Sequence, residues 1–447
     1  METFCEACTE GTTIIAGDYK PISEYRAGDD CFGASRIGKV KQVIRRHYKG
    51  LFSTVSARGL LPISVTPDHL FSVISRRYSH GQRVLTVPRW VKACDIRPCL
   101  HGKRGDYLLT PRFVGSVDVN DLQLSPYTSE RGVRVARGKN VPLTFPLNNE
   151  TAWLLGVYAA EGSPISNAVT FGLGKHEAAL ASKIHTAARH LGYSSFNRTT
   201  RTALVVIVPS RILKRAFTAW LGTNAGNKRV PDFILYHQRS ELGSAFLAGY
   251  LDGDGYNEVR GSRAPRTTAS TVSRTLALQI QFLSVRLGRR CYIHMPKHQA
   301  SSCIEGRIVN NRQRYKLDLP TNPTRFHSIL NAQWLLSPVV GIAQKDYDGQ
   351  VFDLQTDEET YLMHNALVHN CSPPRIPRYE GQNLLLERVD CNCKCPDTVF
   401  EPRGPRCPRC DHSVKIELTD RWDDPFLWID PKTHSPVRLD EVRPATE

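Results

Sequence analysis

GQVFDLQTDEETYLMHNALVHNC, residues 349–371, is the stretch of sequence that decides the fold. Apolar and polar residues alternate along most of it, a pattern typical of half-buried β-strands. The stretch ends in Val368-His369-Asn370-Cys371, and beyond it the chain becomes rich in proline, acidic residues and cysteine. We therefore expect a β-rich domain to end at residue 370 and a separate segment to occupy residues 371–447.

The amino-terminal part of the chain has the same β texture. Residues 12 to about 115 alternate apolar and polar positions between Gly, Pro and Asp residues, which predicts short strands and no clear helix. Two blocks are distinctive there. Cys8-Thr9-Glu10-Gly11-Thr12 opens the domain, and Thr66-Pro67-Asp68-His69 follows an apolar run.

The three blocks, in this order and at these places, resemble the sequence blocks of inteins. The resemblance implies an all-β Hint splicing fold made of residues 8–125 and 336–370. It also implies excision of residues 8–370 and ligation of Ala7 to Cys371, so that residues 1–7 are the N-extein and 371–447 the C-extein.

At the first junction, opening a peptide bond without a cofactor requires a thiol beside it. Cys8 is expected to attack the carbonyl of Ala7 and convert the amide into a thioester. The departing nitrogen must gain a proton, which suits a histidine, so His69 is our candidate and Thr66 its hydrogen-bonding partner.

At the second junction, Cys371 is expected to take over the acyl group. The side-chain amide of Asn370 then cyclises onto its own carbonyl, with His369 polarising that carbonyl or protonating the leaving group. Asp353 matches the acidic position of the intein motif near this junction, where it would tune the nucleophiles.

One position departs from the intein pattern. Where many inteins carry a further histidine, the chain has Glu359, and His364 is the nearest substitute in sequence.

Two alternatives remain open. A self-cleaving Hint domain of the hedgehog type forms the same thioester but lacks an Asn followed by a nucleophile, so Asn370-Cys371 favours ligation. A DNA-binding protein with an inert Hint-like region is the non-enzymatic alternative.

The middle of the chain repeats itself. A capped helix ending near Gly162 recurs 93 residues later at Gly255, and a helix closed by Gly192 recurs 96 residues later at Gly288. Such a repeat predicts a duplicated αββ-type unit forming a pseudo-symmetric pair.

The repeated helices carry a recognisable motif. Residues 247–255, LAGYLDGDG, closely resemble the motif of LAGLIDADG homing endonucleases, and residues 154–162, LLGVYAAEG, are a looser copy. The resemblance covers about residues 145–335. It implies an α/β (α+β) endonuclease domain, monomeric with pseudo-two-fold symmetry, that interrupts the Hint fold and cleaves double-stranded DNA.

Small residues four apart on each motif helix predict close helix contact: Gly249 with Gly253, and Gly156 with Ala160.

Glu161 and Asp254 are expected at the carboxyl ends of the motif helices. The helix dipole disfavours a carboxylate there, so a compensating cation is expected. Two such oxygen donors brought together predict a Mg²⁺ site. The resemblance also implies a lysine near the metal, for which Lys316 is the candidate.

The charge is distributed unevenly. The chain has a net charge of +16, of which residues 1–370 contribute +18 and residues 371–447 contribute −2. A basic excess in one part of a chain favours a nucleic-acid partner. Basic stretches at residues 211–215 and 286–290 are expected on the DNA-facing surface. No apolar run is long enough to cross a membrane, and neither a signal peptide nor a spanning segment is predicted, so a cytoplasmic location is expected.

Splicing would join residues 1–7 to the cysteine-rich tail, giving a product of 84 residues. Ligation creates a CxxC pair from Cys5 and Cys371 that complements the pair Cys407 and Cys410. Two such pairs are what a tetrahedral Zn²⁺ site requires. Cys391, Cys393 and Cys395 keep the ligand assignment open.

Overall fold

The computed structural model describes residues 11–370 apart from gaps at 80–81, 100–103, 114, 129–141, 259–265, 299, 305–306 and 321–327. Beyond residue 370 it describes only short strands. The chain divides into two compact units, one of residues Glu6–Cys371 and one of residues Met1–Cys5 with Ser372–Glu447.

The first part of the larger unit consists of strands joined by turns and short 3₁₀ segments. The strands are β1 (Ile14–Ile15), β2 (Lys20–Pro21), β3 (Asp30–Phe32), β4 (Ile37–Ala57), β5 (Ile63–Val65), β6 (Leu70–Ser79), β7 (Gln82–Leu85), β8 (Arg89–Lys92), β9 (Gly105–Pro111), β10 (Asp121–Gln123) and β11 (Thr144–Pro146). The last part returns to strands: β22 (Ile329–Leu330), β23 (Trp334–Thr356), β24 (Thr360–Met363) and β25 (Ala366–His369).

One large sheet combines both parts, in the order β2-β1-β24-β25-β6-β9-β23-β4-β3. Strand β1 pairs with β24 through Ile15 and Met363, and β25 pairs with β6 through Val368 and Phe71. The first and last described strands of the larger unit, β1 and β25, therefore lie in the same sheet. We call residues 11–123 and 329–370 the β scaffold.

Strands β24 and β25 form a tight hairpin. His364 and Asn365 occupy its two-residue turn with φ of 45° and 67°. Positive φ at both turn positions is what a type I′ hairpin requires, and Asn tolerates it well. The hairpin pairs Thr360 with His369 at its open end, so the turn lies at the opposite end from Asn370.

Between the two scaffold parts lies a mixed region, residues 149–320, which we call the insert. Its helices are α1 (Asn149–Glu161), α2 (Ala178–His190), α3 (Arg211–Leu221), α4 (Asp232–Leu235), α5 (Ser240–Asp254) and α6 (Arg274–Arg286). Its strands are β12 (Gly162–Ile165), β13 (Ala168–Gly174), β14 (Phe196–Thr199), β15 (Ala203–Val208), β16 (Tyr256–Glu258), β17 (Arg266–Thr271), β18 (Tyr292–His294), β19 (Ser301–Ile304), β20 (Arg307–Asn310) and β21 (Tyr315–Pro320).

The insert is built twice from the same plan. Each half runs helix, two strands, helix, two strands, and the sheets have the matching orders β12-β13-β15-β14 and β16-β17-β21-β18. The hairpin β19–β20 is an addition to the second half. Helix α1 begins after Asn148, whose side chain accepts a hydrogen bond from the Thr151 amide, and Gly192 and Gly288 follow α2 and α6 with φ of 81° and 72°. The predicted duplication and its helix ends therefore appear in the structure.

Helices α1 and α5 touch backbone to backbone. A Cβ atom added to Gly156 would overlap the carbonyl oxygen of Phe246, and one added to Gly249 would overlap the carbonyl oxygen of Trp153. A Cβ added to Gly253 would come 2.6 Å from that of Ala160. The small residues of the two motif copies therefore make the contact that the sequence predicts.

The insert is packed into the β scaffold, although its change of texture suggests a separate domain. Ten consecutive residues of α6, 276–285, are buried. The side chain of Gln281 donates to the carbonyl of Gly59 at 2.6 Å, and that of Asn365 donates to the carbonyl of Leu278 at 2.9 Å. The scaffold and the insert therefore share a core that spans the expected boundaries.

The smaller unit contains β26 (Leu384–Arg388), β27 (Val399–Glu401), β28 (Gly404–Arg406), β29 (Val414–Leu418), β30 (Leu427–Ile429) and β31 (Pro436–Arg438). They form a sheet of order β29-β26-β30-β31 and a separate pair β27-β28.

The contact between α1 and α5 generates a stability prediction. Gly249→Ala forces a methyl group into the α1 backbone and should destabilise the larger unit by about 2–3 kcal/mol in urea unfolding. Gly172→Ala is the matched control, because Gly172 lies on strand β13 with nothing within 4 Å of its added Cβ, and it should change stability by no more than about 0.5 kcal/mol. Equal stability of the two variants would contradict the close helix contact.

Candidate functional site

Thr66 and His69 lie in the turn that precedes β6. The His69 amide donates to the Thr66 carbonyl at 3.1 Å, and the His69 carbonyl accepts from the Ala93 amide at 2.8 Å. Both side chains are only 1% exposed. Within the described part of the chain, Thr66 Oγ1 and both ring nitrogens of His69 have no hydrogen-bond partner. Buried polar atoms without partners cost about 1–3 kcal/mol each, so they call for a function.

Burial is the main cause that lowers the pKa of His69 to about 3, and the neighbouring His369 lowers it further. The imidazole is therefore neutral at neutral pH. The shift arises because the ring is removed from water, which disfavours the charged form.

His369 and Asn370 end the last strand of the β scaffold. His369 Nδ1 lies 2.6 Å from the Asn370 carbonyl oxygen, so this nitrogen carries the proton and donates it. The His369 ring also packs edge-on against Trp90, with centroids 5.0 Å apart. The imidazole is thus held against the carbonyl of the bond that joins Asn370 to the next residue.

Asn370 is 4% exposed, and its main chain and side chain are both held. Its amide nitrogen donates to the Glu359 carbonyl at 2.8 Å. The orientation of its side-chain amide is assigned from hydrogen bonding: Nδ2 donates to the same carbonyl at 2.9 Å, and Oδ1 accepts from the Thr356 amide at 3.1 Å. The side chain is fixed rather than free to rotate.

Asp353 lies on β23 and is fully buried. Its Oδ1 accepts a hydrogen bond from the Tyr361 hydroxyl and one from the Leu354 amide at 2.7 Å. The carboxylate therefore links β23 to β24, beside the hairpin that ends in Asn370.

Cys8 and Cys371, the two predicted nucleophiles, lie outside the described residues, as do Cys5, Cys407 and Cys410. The described chain begins at Gly11, where an added Cβ would come 2.8 Å from the ring of Phe352, the residue before Asp353. The start of the described chain is thus in contact with the strand that carries Asp353.

His364 does not lie beside Asn370, the place in which it could have substituted for the missing histidine. It sits in the turn at the far end of the hairpin, where its Nδ1 lies 3.0 Å from the Pro62 carbonyl oxygen. The residue beside Asn370 is Glu359, which contributes its backbone carbonyl.

Glu161 and Asp254 lie at the carboxyl ends of α1 and α5, as predicted. Burial, followed by the charges of Asp254 and Glu177, raises the pKa of Glu161 to about 7. Burial raises the pKa of Asp254 to about 6, while Lys228 opposes the rise. Two crowded, partly desolvated carboxylates of this kind fit a divalent cation with oxygen ligands.

Within the described chain, no group of three or more His, Cys, Asp or Glu side chains could hold a metal ion. Two carboxylates still suit Mg²⁺, which keeps several water ligands and is completed by substrate phosphate oxygens.

Lys228 is a functional candidate that sequence reasoning missed. Its side chain is 3% exposed, and its Nζ donates to the carbonyls of Tyr158 and Gly162 at 2.6 and 2.7 Å. Burial lowers its pKa to about 7, and the charges of Asp254 and Glu161 limit the fall. In sequence it stands in a short polar loop, where a lysine is usually a surface charge.

Lys316, the lysine proposed from sequence, lies on β21. Its Nζ is 3.9 Å from the carboxylate of Glu258 on β16. The lysine that interacts with Glu161 and Asp254 in this structure is Lys228.

The two basic stretches lie at the ends of helices, and their expected place on a DNA-facing surface stays a prediction. Residues 211–215 open helix α3, and Lys214 donates to the Ser166 carbonyl at 2.6 Å. Arg286 donates to backbone carbonyls of Leu235 and His237. The guanidinium of Arg286 therefore fastens the chain before α5 to the end of α6.

Residues 241–318 match the model of the LAGLIDADG-like domain. The matched segment begins in α5, carries Asp254 and ends on β21, so it corresponds to the second half of the insert. The multidomain, mostly β chain therefore contains a LAGLIDADG-like region.

Relatives of the chain include proteins of very different names. It is 28% identical over 409 residues to the ATP-dependent DNA helicase Hel308 of Thermococcus kodakarensis, covering 80% of this chain and 35% of that protein. It is 23% identical over 398 residues to an iron-sulfur cluster assembly SufBD family protein of Mycobacterium tuberculosis, covering 83% of this chain and 43% of that protein. The chain thus spans less than half the length of these relatives.

Similar solved structures include the homing endonuclease I-DmoI in complex with DNA and Mn, at 16% identity, 39% of this chain, 90% of that chain and a TM-score of 0.28. Another is the homing endonuclease I-WcaI bound to its DNA recognition sequence, at 11% identity, 39% of this chain, 76% of that chain and a TM-score of 0.26. Separately, no helix in the described ranges is both long and apolar enough to cross a membrane.

The buried state of His69 predicts a pH-dependent stability. Its pKa in the folded state is below the ordinary value of about 6.5, so the unfolded chain binds the proton more strongly and stability falls as pH falls below about 6.5. Between pH 7 and pH 5 this residue alone should account for about 2 kcal/mol of lost stability.

Urea unfolding of His69→Gln at both pH values measures that share. The variant should lose about 2 kcal/mol less than the wild type on acidification. His298→Gln, at an exposed position, should keep the wild-type pH dependence. The assignment is wrong if His69→Gln also keeps it.

Proposed function

We propose that residues 8–370 excise themselves from the chain and that Ala7 is joined to Cys371. The observation that carries the proposal is the hydrogen bond of His369 Nδ1 to the Asn370 carbonyl oxygen, at 2.6 Å. This carbonyl belongs to the Asn370–Cys371 bond, which must break. The turn of Thr66 and His69 precedes a strand of the same sheet, and the buried Thr66 hydroxyl and His69 ring nitrogens have no hydrogen-bond partner among the described residues.

The first step is an acyl shift at the Ala7–Cys8 bond. The Cys8 sulfur attacks the Ala7 carbonyl carbon, a C–S bond forms, the C–N bond breaks, and the Cys8 nitrogen takes up the proton released by the thiol. Because His69 is neutral, it acts here by hydrogen bonding and proton relay rather than as a standing cation. Thr66, three residues before His69 in the same turn, supplies a second hydrogen bond.

The second and third steps occur at the other junction. The Cys371 sulfur attacks the thioester carbonyl carbon, a new C–S bond forms and the C–S bond to Cys8 breaks. The Cys8 thiolate takes up the proton that the Cys371 thiol gives up, and a branched chain results. The Asn370 Nδ2 then attacks the Asn370 carbonyl carbon, the bond to the Cys371 nitrogen breaks, and that nitrogen is protonated as an amine. Donation from His369 stabilises the negative charge that develops on the carbonyl oxygen. A final shift from sulfur to nitrogen gives a normal peptide.

Several features favour a Hint-type splicing fold over the alternatives. The first and last described strands of the larger unit lie in one sheet, and the Asn370 side chain is fixed by hydrogen bonds to Glu359 and Thr356. A hedgehog-type domain needs no such asparagine. An inert Hint-like region would have no reason to keep buried, unpartnered Thr66 and His69 side chains.

We further propose that the insert is a homing endonuclease that cleaves double-stranded DNA. Its support is the LAGLIDADG-like match of residues 241–318 and the pair of raised-pKa carboxylates at the ends of two touching helices. Glu161 and Asp254 would hold Mg²⁺, which activates water and stabilises the leaving oxygen when bound. Lys228 would offset the negative charge beside them.

The unrelated names of the relatives also favour an inserted element. A helicase and an iron-sulfur assembly protein share sequence with most of this chain, yet the chain spans only part of each. An element that inserts into different host genes would produce such a pattern. In this view the residues outside 8–370 belong to a host protein, for which a Zn²⁺ site of Cys5, Cys371, Cys407 and Cys410 remains a prediction, as does its cytoplasmic location.

Substitution at the two junctions should separate the steps of splicing. Asn370→Ala removes the nucleophile of cyclisation, so the chain should stay attached to residues 371–447 yet release residues 1–7 when a thiol reagent is added. Cys8→Ala should abolish the thioester, and thiol should then release nothing from the amino terminus. Mass spectrometry of the products decides, and ligated product from either variant would contradict the assigned roles.

The nuclease proposal is tested with a plasmid carrying the coding sequence in which codon 7 is joined directly to codon 371. With Mg²⁺ the wild-type chain should linearise it. Glu161→Gln and Asp254→Asn should each reduce cleavage at least about 100-fold, because the cation loses one of its two protein ligands.

Two variants decide whether Lys228 or Lys316 is the lysine that assists DNA cleavage beside the proposed metal site. Lys228→Met should slow cleavage about 100-fold, since it removes a charge beside the reacting groups, while Lys316→Met should slow it by less than about 10-fold. Thermal melting of both variants separates a folding defect from a catalytic one. The reverse order of effects, at equal melting temperature, would return the role to Lys316.

A further inference from the structure

Arg274, the first residue of α6, reaches from the insert into the β scaffold. Its Nη1 donates to the Thr12 carbonyl at 2.9 Å, and its Nη2 lies 2.8 Å from Nε2 of His364. Thr12 stands four residues after Cys8 in the sequence, while His364 forms the turn between β24 and β25. One guanidinium therefore joins the two scaffold segments that belong to opposite ends of the larger unit.

His364 completes this connection as a relay. The Ile14 amide also donates to its Nε2, at 3.3 Å, so Nε2 accepts two hydrogen bonds and Nδ1 must carry the proton donated to Pro62. Burial, followed by the charge of Arg274, lowers the pKa of His364 to about 3, so this tautomer persists at neutral pH. Arg274 thus holds the Thr12–Ile14 segment twice, directly at Thr12 and through His364 at Ile14.

The second junction is held by other groups. Asn370 is fixed by Glu359 and Thr356, at the opposite end of the hairpin from His364. Loosening the contact of Arg274 with Thr12 should therefore disturb the segment that follows Cys8 and leave Asn370 in place.

We propose that Arg274 is a positioning residue for the acyl shift at the Ala7–Cys8 bond, although it belongs to the endonuclease insert. The inference rests on the proposed splicing function. An error of about 1 Å in the placement of a reacting group is enough to cost about 100-fold in rate. A guanidinium suits the task because its planar fork serves two acceptors at once, whereas a lysine supplies a single point charge.

The inference makes the insert part of the splicing machinery rather than a passenger. Arg274 lies within the segment that matches the LAGLIDADG-like domain, and α6 behind it is buried against the scaffold. A chain that lost the insert would lose the hydrogen bonds of Arg274 to Thr12 and His364, next to strand β1.

The test uses the full chain carrying both Cys371→Ala and Asn370→Ala, so that the acyl group cannot move on from Cys8 and thiol-induced release of residues 1–7 reports the first acyl shift alone. Adding Arg274→Ala should slow this release about 10- to 100-fold, and Arg274→Lys should give an intermediate rate. Arg189→Ala, at an exposed position on helix α2 of the insert, is the matched control and should keep the parent rate. His364→Gln keeps one hydrogen-bond acceptor and one donor, so it should release residues 1–7 faster than His364→Ala.

A parallel measurement follows cleavage at the second junction in the full chain carrying Cys8→Ala. Arg274→Ala should leave that rate unchanged, which a general loss of structure would not do.

Equal thiol-induced release from Arg274→Ala and its parent would overturn the inference. So would an equal loss at both junctions together with a lower melting temperature, since Arg274 would then be only structural. If the parent itself releases nothing with thiol, the proposed splicing function fails instead, and the inference falls with it.

Discussion

The antiparallel pairing of β25 with both β24 and β6 is the constraint on which the remaining structure depends. A register set by Val368 opposite Phe71 places His369 and Asn370 beside the turn that carries Thr66 and His69. Because side chains alternate between the two faces of a strand, a slip of one residue would move His369 and Asn370 to the wrong faces. The tight turn at His364 and Asn365 fixes the register from the other side, since a two-residue hairpin admits little variation.

A second constraint acts in the insert, where glycine allows α1 and α5 to touch. Their close approach brings two carboxylates together in a partly desolvated place, which is unfavourable without a cation. The charge of Lys228 offsets part of that cost, although burial also disfavours the charged form of Lys228 and so lowers its pKa. The raised carboxylate pKa values and the helix contact therefore have one cause, and the two carboxylates are where we propose that a divalent metal binds.

The strands, the helix ends and the contact between α1 and α5 could be predicted from the pattern of residues that are close in sequence. Alternation predicted the strands, the Asn148 cap and the glycines after α2 and α6 predicted the helix ends, and the spacing of small residues predicted the helix contact. These features depend on residues near one another in sequence. Lys228 escaped notice because its burial depends on Tyr158 and Gly162, which no local pattern connects to it.

The packing of α6 also depends on distant residues. Gln281 and Asn365 look like surface positions in the sequence, yet they hydrogen bond to each other at 3.1 Å across the boundary between insert and scaffold. Sequence texture marks where one kind of structure gives way to another, but it does not report whether the two share a core. The position of His364 could not be predicted for the same reason. It is near Asn370 in sequence, yet the hairpin places the two residues at opposite ends.

The intact mass of the wild-type chain after expression tests the central claim most directly. The account predicts two products, residues 8–370 with 363 residues and a ligated protein of 84 residues. A single species of 447 residues would contradict it.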